Sequence, residues 1–168
     1  ARPWSADLEF GTNAGSAYVL ALYQDKILVG GIFSSVSGVS HVGLAAVDSV
    51  VGTPVASWNC NVFPVFCLLV QGGTAFVGGS FGTAGGQSRA NIAAVNASTG
   101  AVLPWNPGVA GNAVQALVAR GDSLYIGGDY SQVGGQSRLC LAAVSATSGS
   151  LLGWAPAAFG PVRALVID

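Results

Sequence analysis

Residues 78–82 have the glycine–serine spacing of a nucleophile elbow, in which an exposed serine attacks an acyl carbon. Ser80 is the serine of this segment. Such a nucleophile needs a base, and the chain has one histidine, His41. Ser80 aligns with Ile32 and Asp129 in the internal repeats described below, and no helix is predicted after it. We therefore interpret residues 78–82 as a turn and expect no catalytic residues.

Motifs that bind metals or cofactors are missing from the sequence. It has no glycine-rich phosphate loop ending in Gly-Lys, no Asp-x-Asp calcium loop and no Cys-x-x-Cys pair. His41 stands where two other repeats have Arg89 and Arg138, so we interpret it as an ordinary loop residue. The sequence therefore predicts no cofactor, no metal site and no enzymatic activity.

Two kinds of covalent modification are compatible with the sequence. Cys60 falls in a predicted connection and Cys67 on a predicted strand, so the two either form a disulfide or remain thiols. The third cysteine, Cys140, is predicted to be a buried thiol. Asn96 begins an Asn-Ala-Ser sequon at a predicted turn, which would be glycosylated in a secreted eukaryotic protein and is plain turn chemistry in a bacterium.

The composition restricts the partners that this chain can bind. Charged residues are 8% of the 168 residues, against roughly 25% in an ordinary soluble domain, and the formal net charge is -1. This balance argues against a basic face for nucleic acid or anionic membranes. The longest apolar run, residues 62–70, is shorter than the roughly 18 residues of a membrane-spanning helix. We therefore expect one domain that neither binds nucleic acid nor inserts into a membrane.

A repeat runs through the chain. Gly-Gly pairs begin at Gly30, Gly78 and Gly127, which are 48 and 49 residues apart. Each pair follows an apolar run and has an aromatic ring two residues after it. Ala-Ala-Val, a turn ending in glycine and a tryptophan come next in every copy. The tryptophans are Trp58, Trp105 and Trp154. This register predicts three copies of one structural unit.

Each unit is predicted to contain four short antiparallel strands separated by glycine-rich or Asn/Ser/Thr-rich turns. In the second copy the predicted strands are 65–70, 74–78, 91–96 and 101–105. No segment has a helical apolar stripe over three turns. A repeat of this length with four antiparallel strands is typical of a β-propeller blade, so we predict an all-β fold of propeller blades. The recurrent tryptophans are then expected to pack between neighbouring blades.

The repeat predicts three complete blades with a partial blade at each end. The predicted boundaries are 1–16 for the tail of a preceding blade, 17–64, 65–113 and 114–161 for blades 1 to 3, and 162–168 for the first strand of a following blade. Three blades are fewer than the usual 4–8 of a closed ring. We therefore expect either a piece of a longer propeller or a subunit that completes its ring with other chains.

Five polar residues in repeated loops or near predicted strand ends are candidate ligand-binding residues. They are Gln87, Arg89, Asp129, Gln136 and Arg138. Gln-Ser-Arg occurs in two copies at equivalent positions, so these side chains could rim one face of the propeller. Hydrogen bonding within the loops explains the same repetition, and we favour this structural interpretation.

The repeat has the pattern of a known family. Residues 124–138, with Ala-Ala-Val and Trp154 after them, resemble the delta-60 repeat propellers of secreted bacterial proteins, and residues 91–107 match that pattern closely. More distantly, the chain resembles kelch-type blades and the propeller of fungal cell-polarity surface markers. The resemblance covers about residues 17–168, although the first copy departs from it at residues 37–41. It implies an extracellular, often multidomain, surface or adhesion protein and supplies no catalytic residues.

A narrower resemblance concerns a cofactor. Residues 94–100, followed by Trp105, are similar to the tryptophan-docking motif of pyrroloquinoline-quinone dehydrogenase propellers. The tryptophan comes one residue late, and the sequence has no calcium-binding carboxylate cluster. We therefore interpret Trp105 as an inter-blade packing residue.

The sequence is compatible with three functions of different classes. The first is a non-enzymatic structural and interaction module of an extracellular or cell-surface protein, because a surface so poor in charge tends to associate. Its partners would be other chains or the rest of a larger chain. The second is a lectin-like propeller that binds carbohydrate, for which loss of glycan-array binding in Gln87→Ala and Gln136→Ala is the test. The third is a non-catalytic part of a larger propeller enzyme.

Overall fold

The structure is a computed structural model that describes residues 5–168. The regular structure of these residues is entirely β-sheet. The strands in chain order are β1 (Leu8–Phe10), β2 (Asn13–Ala14), β3 (Ser16–Tyr23), β4 (Lys26–Ile32), β5 (Ser35–Val36), β6 (Val39–Ser40), β7 (Leu44–Asp48), β8 (Pro54–Asn59), β9 (Val65–Gln71), β10 (Thr74–Gly79), β11 (Thr83–Ala84), β12 (Gln87–Ser88), β13 (Ile92–Asn96), β14 (Val109–Arg120), β15 (Ser123–Val133), β16 (Gln136–Ser137) and β17 (Leu141–Ser145). Trp4, in the segment predicted as the tail of a preceding blade, lies outside the described residues.

The strands form three successive antiparallel blades, which confirms the predicted fold class. Blade 1 is a four-stranded sheet in the order β3-β4-β7-β8. Blade 2 has the order β9-β10-β13, and in blade 3 β15 lies between β14 and β17. Consecutive strands pair through tight turns whose glycines have positive φ, such as Gly73 and Gly121. The sequence therefore folds as a chain of local hairpins.

The fourth strand predicted at 101–105 is reduced to a single bridge between Val95 and Val102. Blade 3 has the same reduction, with one bridge between Val144 and Leu151. The segment from the turn glycine to the tryptophan is one residue longer in blade 1, where the full strand β8 forms. In blade 2 it also contains Pro104, which has no N–H to donate to a ladder. The outer edge of blades 2 and 3 is therefore mostly irregular.

A small hairpin follows the second strand of each blade, and the sequence reasoning missed it. The hairpins are β5-β6, β11-β12, and the end of β15 with β16. The two Gly-Gly-Gln-Ser-Arg segments form the turn and return strand of the second and third hairpins. Strands of two residues carry too few side chains for an apolar–polar alternation to reveal them.

The Gly-Gly pairs are explained by the close approach of two other strands. A Cβ on Gly30 would lie 2.5 Å from a methyl of Val65, and a Cβ on Gly78 would lie 2.7 Å from a methyl of Val114. Each of these valines belongs to the first strand of the next blade. A Cβ on the second glycine would collide with backbone of its own blade, as at Gly79 with the carbonyl oxygen of Pro64. The first glycine thus permits blade stacking and the second permits a bulge in the first strand.

Residues 162–168 form no strand in the structure, because no described strand pairs with them. Val162 nevertheless occupies the position that the pattern predicts. Its N–H donates to the carbonyl of Gly128 at 3.0 Å, and a Cβ on Gly127 would lie 2.7 Å from a Val162 methyl. Val162 therefore packs on blade 3 as Val114 packs on blade 2.

Two tryptophans join neighbouring blades. The Trp58 Nε1–H donates to the carbonyl of Ala97 at 2.8 Å, and the Trp105 Nε1–H donates to the carbonyl of Ser145 at 2.9 Å. Both rings are buried in apolar clusters formed by two blades. We call these clusters the first seam, between blades 1 and 2, and the second seam, between blades 2 and 3. Trp154, which has no described blade beyond it, is 42% exposed.

Candidate functional site

The arginine of the second hairpin is held by its own loop. Arg89 is buried and donates to the carbonyls of Ser88 at 2.7 Å and Leu103 at 2.8 Å. A second Nη2–H bond reaches the Gln87 Oε1 at 3.0 Å. Arg89 therefore fastens the hairpin to the irregular outer edge of blade 2, which is a structural role.

The remaining candidate ligand residues lie on blade 3 and do not converge with Gln87 and Arg89. Gln136 is exposed on the third hairpin, and the half-buried Arg138 donates to the carbonyl of Ser137 at 2.8 Å. Asp129 lies on β15 and accepts a hydrogen bond from the Asn112 amide at 2.8 Å. A ligand-binding role for these residues remains a prediction.

Ser80 and His41, the two residues considered for catalysis, are held within the fold. The Ser80 hydroxyl donates to the carbonyl of Asn112 at 2.7 Å, and so ties the end of blade 2 to blade 3. His41 is fully buried, and neither ring nitrogen has a hydrogen-bond partner. His41 lies in the loop between β6 and β7, as predicted, but its short imidazole is enclosed and does not reach a carbonyl as Arg89 does. Burial lowers the pKa of His41 and favours the neutral ring. Within residues 5–168, no group of three His, Cys, Asp or Glu side chains is placed to hold a metal ion.

The cysteines are free, buried thiols, so the disulfide considered between Cys60 and Cys67 is not formed. Cys60 packs in the first seam and Cys67 in the second seam, which places their side chains on opposite sides of blade 2. Cys140 is also free and buried. Sequence distance alone could not reveal that two cysteines seven positions apart point into different clusters.

Burial of these thiols predicts a loss of stability at alkaline pH. Burial raises the pKa of Cys60 to about 11 and that of Cys67 to about 12, from an ordinary value of 9.0. The unfolded chain therefore releases these protons first, and the free energy of unfolding falls as the pH rises past 9 toward 11. Urea unfolding at pH 8 and pH 10 measures this fall, and it should be smaller in the double variant Cys60→Ala, Cys67→Ala. An equal fall in the variant would contradict the assignment to these thiols.

The sequon asparagine already has a structural role. The Asn96 Oδ1 accepts hydrogen bonds from the backbone N–H groups of Ser98 at 2.9 Å and Thr99 at 3.0 Å. This is an Asx-turn, which closes the hairpin without any modification. Glycosylation of Asn96 remains a prediction.

The side of blade 1 that faces away from blade 2 has apolar residues in contact with solvent. Leu20 is 60% exposed and Leu22 is 69% exposed, whereas the equivalent Leu68 and Val70 of blade 2 are partly buried in the first seam. Val50 and Val51 are exposed at the turn after β7, at the same end of the sheet as Leu22. We call Leu20, Leu22, Val50 and Val51 the blade 1 outer face.

A part of the same side of blade 1 is already covered. Ala6 and Leu8, from the segment before blade 1, pack against a buried cluster that includes Val29 and Val47. The contact shows that this side of the sheet accepts apolar chain. The blade 1 outer face continues from it toward the β3–β4 turn, where no described segment covers Leu20 and Leu22.

The comparisons with known proteins agree with this fold. Residues 25–45 match the family model described as a β-propeller domain of unknown function, DUF5122. The matched segment includes Gly30 and Gly31 and runs from the second strand of blade 1, through the small hairpin, into the third strand. No curated protein matches the chain. Among the described residues, no helix is long and apolar enough to span a membrane. Fold and family comparison together identify the chain as β-propeller structure.

Proposed function

We propose that this chain is a non-enzymatic structural and interaction module that contacts other proteins through the blade 1 outer face. The observation that carries the proposal is the uncovered apolar row of Leu20 and Leu22. Inside the molecule, the same row on blade 2, Leu68 and Val70, is covered by a neighbouring blade. A protein surface of comparable shape and apolarity is therefore the partner that the blade 1 outer face fits.

The electrostatics support a protein partner. The chain has 6 Lys and Arg residues and 7 Asp and Glu residues, so no strong field would steer an oppositely charged polymer to it. The blade 1 outer face consists of four aliphatic side chains, and the charged groups beside it, the Asp25–Lys26 ion pair and Asp48, lie at the turns. Apolar burial would therefore supply most of the binding free energy.

We also propose where this module is located and what kind of protein it belongs to. The likeness to delta-60 and kelch-type repeats implies an extracellular or cell-surface protein in which the contacts are adhesive. The partner is then another chain or the rest of a larger chain. The intact mass of the native source protein distinguishes the two: a mass far above 16.7 kDa indicates a larger chain, and a mass of 16.7 kDa indicates an assembly.

Photo-cross-linking in the native source tests the proposed face. A benzophenone amino acid at position 22 is expected to cross-link to a partner segment, which peptide mass spectrometry can identify. Thr83 on the second hairpin is exposed and serves as the control position. The substitution Leu20→Glu should reduce cross-linking from position 22 at least about fivefold, because it would place a charge in an apolar contact.

The result that would contradict the proposal is equal cross-linking from positions 22 and 83. Persistence of the cross-link in Leu20→Glu would also contradict it. A circular-dichroism spectrum of each variant shows whether the blades remain folded, so that a loss of contact is not confused with a loss of structure.

A further inference from the structure

The two seams differ at one pair of equivalent positions. At the first seam, the phenol of Tyr23 crosses from blade 1 to blade 2, and its hydroxyl lies 3.2 Å from the Ser98 Oγ. At the second seam, the position of Tyr23 is occupied by Gln71, and the position of Ser98 by Thr147. The Gln71 amide donates to the carbonyl of Gly121 at 2.8 Å instead of reaching Thr147. The second seam therefore lacks the aromatic ring that lies over the first.

A groove of about 750 Å³ is present at this place on the second seam, within the roughly 300–1,000 Å³ range of ligand sites. We call it the second-seam groove. Its lining includes Gln71, Phe76, Trp105, Asp122, Thr147 and Ser148. Blade 2 supplies the apolar side together with Gln71 and Thr74, and blade 3 supplies Asp122, Thr147 and Ser148. The groove therefore has both an apolar wall and polar groups, as the position of Tyr23 does.

The carboxylate gives the groove a preference in charge. Asp122 accepts hydrogen bonds from the Ser145 hydroxyl at 2.7 Å and from the Thr147 N–H at 2.8 Å. The hydrogen bonds from Thr147 and Ser145 lower the pKa of Asp122, so it is ionised at neutral pH. The lining residues include no lysine or arginine. The groove therefore disfavours a phosphate or sulfate, and a hydroxyl can donate to its carboxylate.

The two aromatic rings in the lining expose only their edges to the groove. Trp105 is 7% exposed and Phe76 is 2% exposed, and their rings meet edge to face with centroids 5.2 Å apart. A sugar ring that stacks on an aromatic face needs more exposed ring than this. At the first seam, the phenol of Tyr23 lies over the blades and packs against the buried apolar cluster without such a platform.

We infer that the second-seam groove binds an unmodified tyrosine side chain of a partner protein. The inference rests on the proposed function as an interaction module. It concerns a second surface, separate from the blade 1 outer face, and names the side chain that this surface would bind. The phenol ring would lie over the seam as Tyr23 does, and its O–H would donate to Asp122 or exchange a hydrogen bond with Thr147. Tyrosine is also a frequent anchor at protein interfaces, because it combines apolar area with a polar tip.

Titration with N-acetyl-tyrosinamide, followed by amide NMR of the whole chain, tests the inference. The expected result is weak saturable binding, with shifts concentrated at Gly121, Asp122 and Thr147. N-acetyl-phenylalaninamide should bind about tenfold more weakly, because it leaves the polar groups of the groove unpaired. The phosphotyrosine analogue should produce no shifts in the groove, because its charge meets Asp122.

Two variants at one position provide the matched control. Gln71→Tyr should fill the groove with an internal phenol and abolish the shifts, and Tyr23 shows that this side chain is accommodated at a seam. Gln71→Ala should leave the groove open and retain the binding. Shifts that persist in Gln71→Tyr, or an absence of shifts at the groove in the unaltered chain, would overturn the inference. Groove shifts produced by a neutral disaccharide and not by the tyrosine probe would overturn it in favour of a saccharide site.

A negative result for tyrosine binding can be told apart from a negative result for the proposed interaction module. Cross-linking from position 22 does not involve Gln71, which lies on blade 2. If that cross-link survives and the tyrosine probe does not bind, the groove assignment alone is wrong. If the cross-link fails as well, the interaction module itself is contradicted.

Discussion

Replacing Trp105 by alanine is expected to lower the free energy of unfolding by about 3–5 kcal/mol, as truncation of a buried aromatic usually does. The substitution removes the ring that meets Phe76 and leaves a cavity in the second seam. It also leaves the carbonyl of Ser145 without the indole donor. Denaturant unfolding at equilibrium, with the unaltered chain in parallel, measures the loss.

The third tryptophan of the repeat is the matched control for Trp105. Trp154 has the same position in its unit and the same edge-to-face contact with an aromatic ring, Tyr125, with centroids 5.0 Å apart. Because it is half exposed, Trp154→Ala should cost only about 1 kcal/mol in the isolated chain. Equal losses for Trp105→Ala and Trp154→Ala would show that blade contact is not what makes the tryptophan important.

Replacing Gly79 by alanine is expected to destabilise the chain by about 3 kcal/mol, the upper end of the usual range for overpacking. The added Cβ would collide with the carbonyl oxygen of Pro64, and backbone cannot move aside as the end of a flexible side chain can. The bulge between β9 and β10 lies at this residue, so the pairing of these two strands would have to shift. Thermal unfolding followed by circular dichroism measures the effect.

Gly82 provides the control for that substitution. It lies three residues later, its φ is not positive, and a Cβ there would meet no atom within 4 Å. Gly82→Ala should therefore change the free energy of unfolding by less than about 1 kcal/mol. A loss in Gly79→Ala as small as that in Gly82→Ala would mean that the second glycine of each pair has no packing role.

The features that repeat are those that the sequence made predictable. Gly78 and Trp105 recur at a fixed spacing because each contacts the next blade. Both described seams need a small residue and a large aromatic residue at these positions. The period therefore indicated both the fold class and the inter-blade position of the tryptophans. Burial of Trp58 and Trp105 confirms that expectation for the two seams that the structure describes.

The features that differ between copies needed the three-dimensional structure. Tyr23 and Gln71 are plainly different residues in an alignment, but only the packing shows that one covers a seam and the other leaves a groove. The burial of His41 was unpredictable for a related reason, since its aligned partner Arg89 is held by carbonyls that the imidazole does not reach. The strand predicted at 101–105 is lost in a segment that is one residue shorter than its equivalent in blade 1, as it also is in blade 3.

Hydroxyl-radical footprinting can show whether a protein partner covers the blade 1 outer face. Leu20 and Leu22 are to be compared between the purified chain and the protein in its native setting. We expect strong oxidation in the purified chain and at least about fivefold protection in the native setting, with Leu139, which is 43% exposed on blade 3, oxidised equally in both. Equal oxidation of Leu20 and Leu22 in both settings would contradict it.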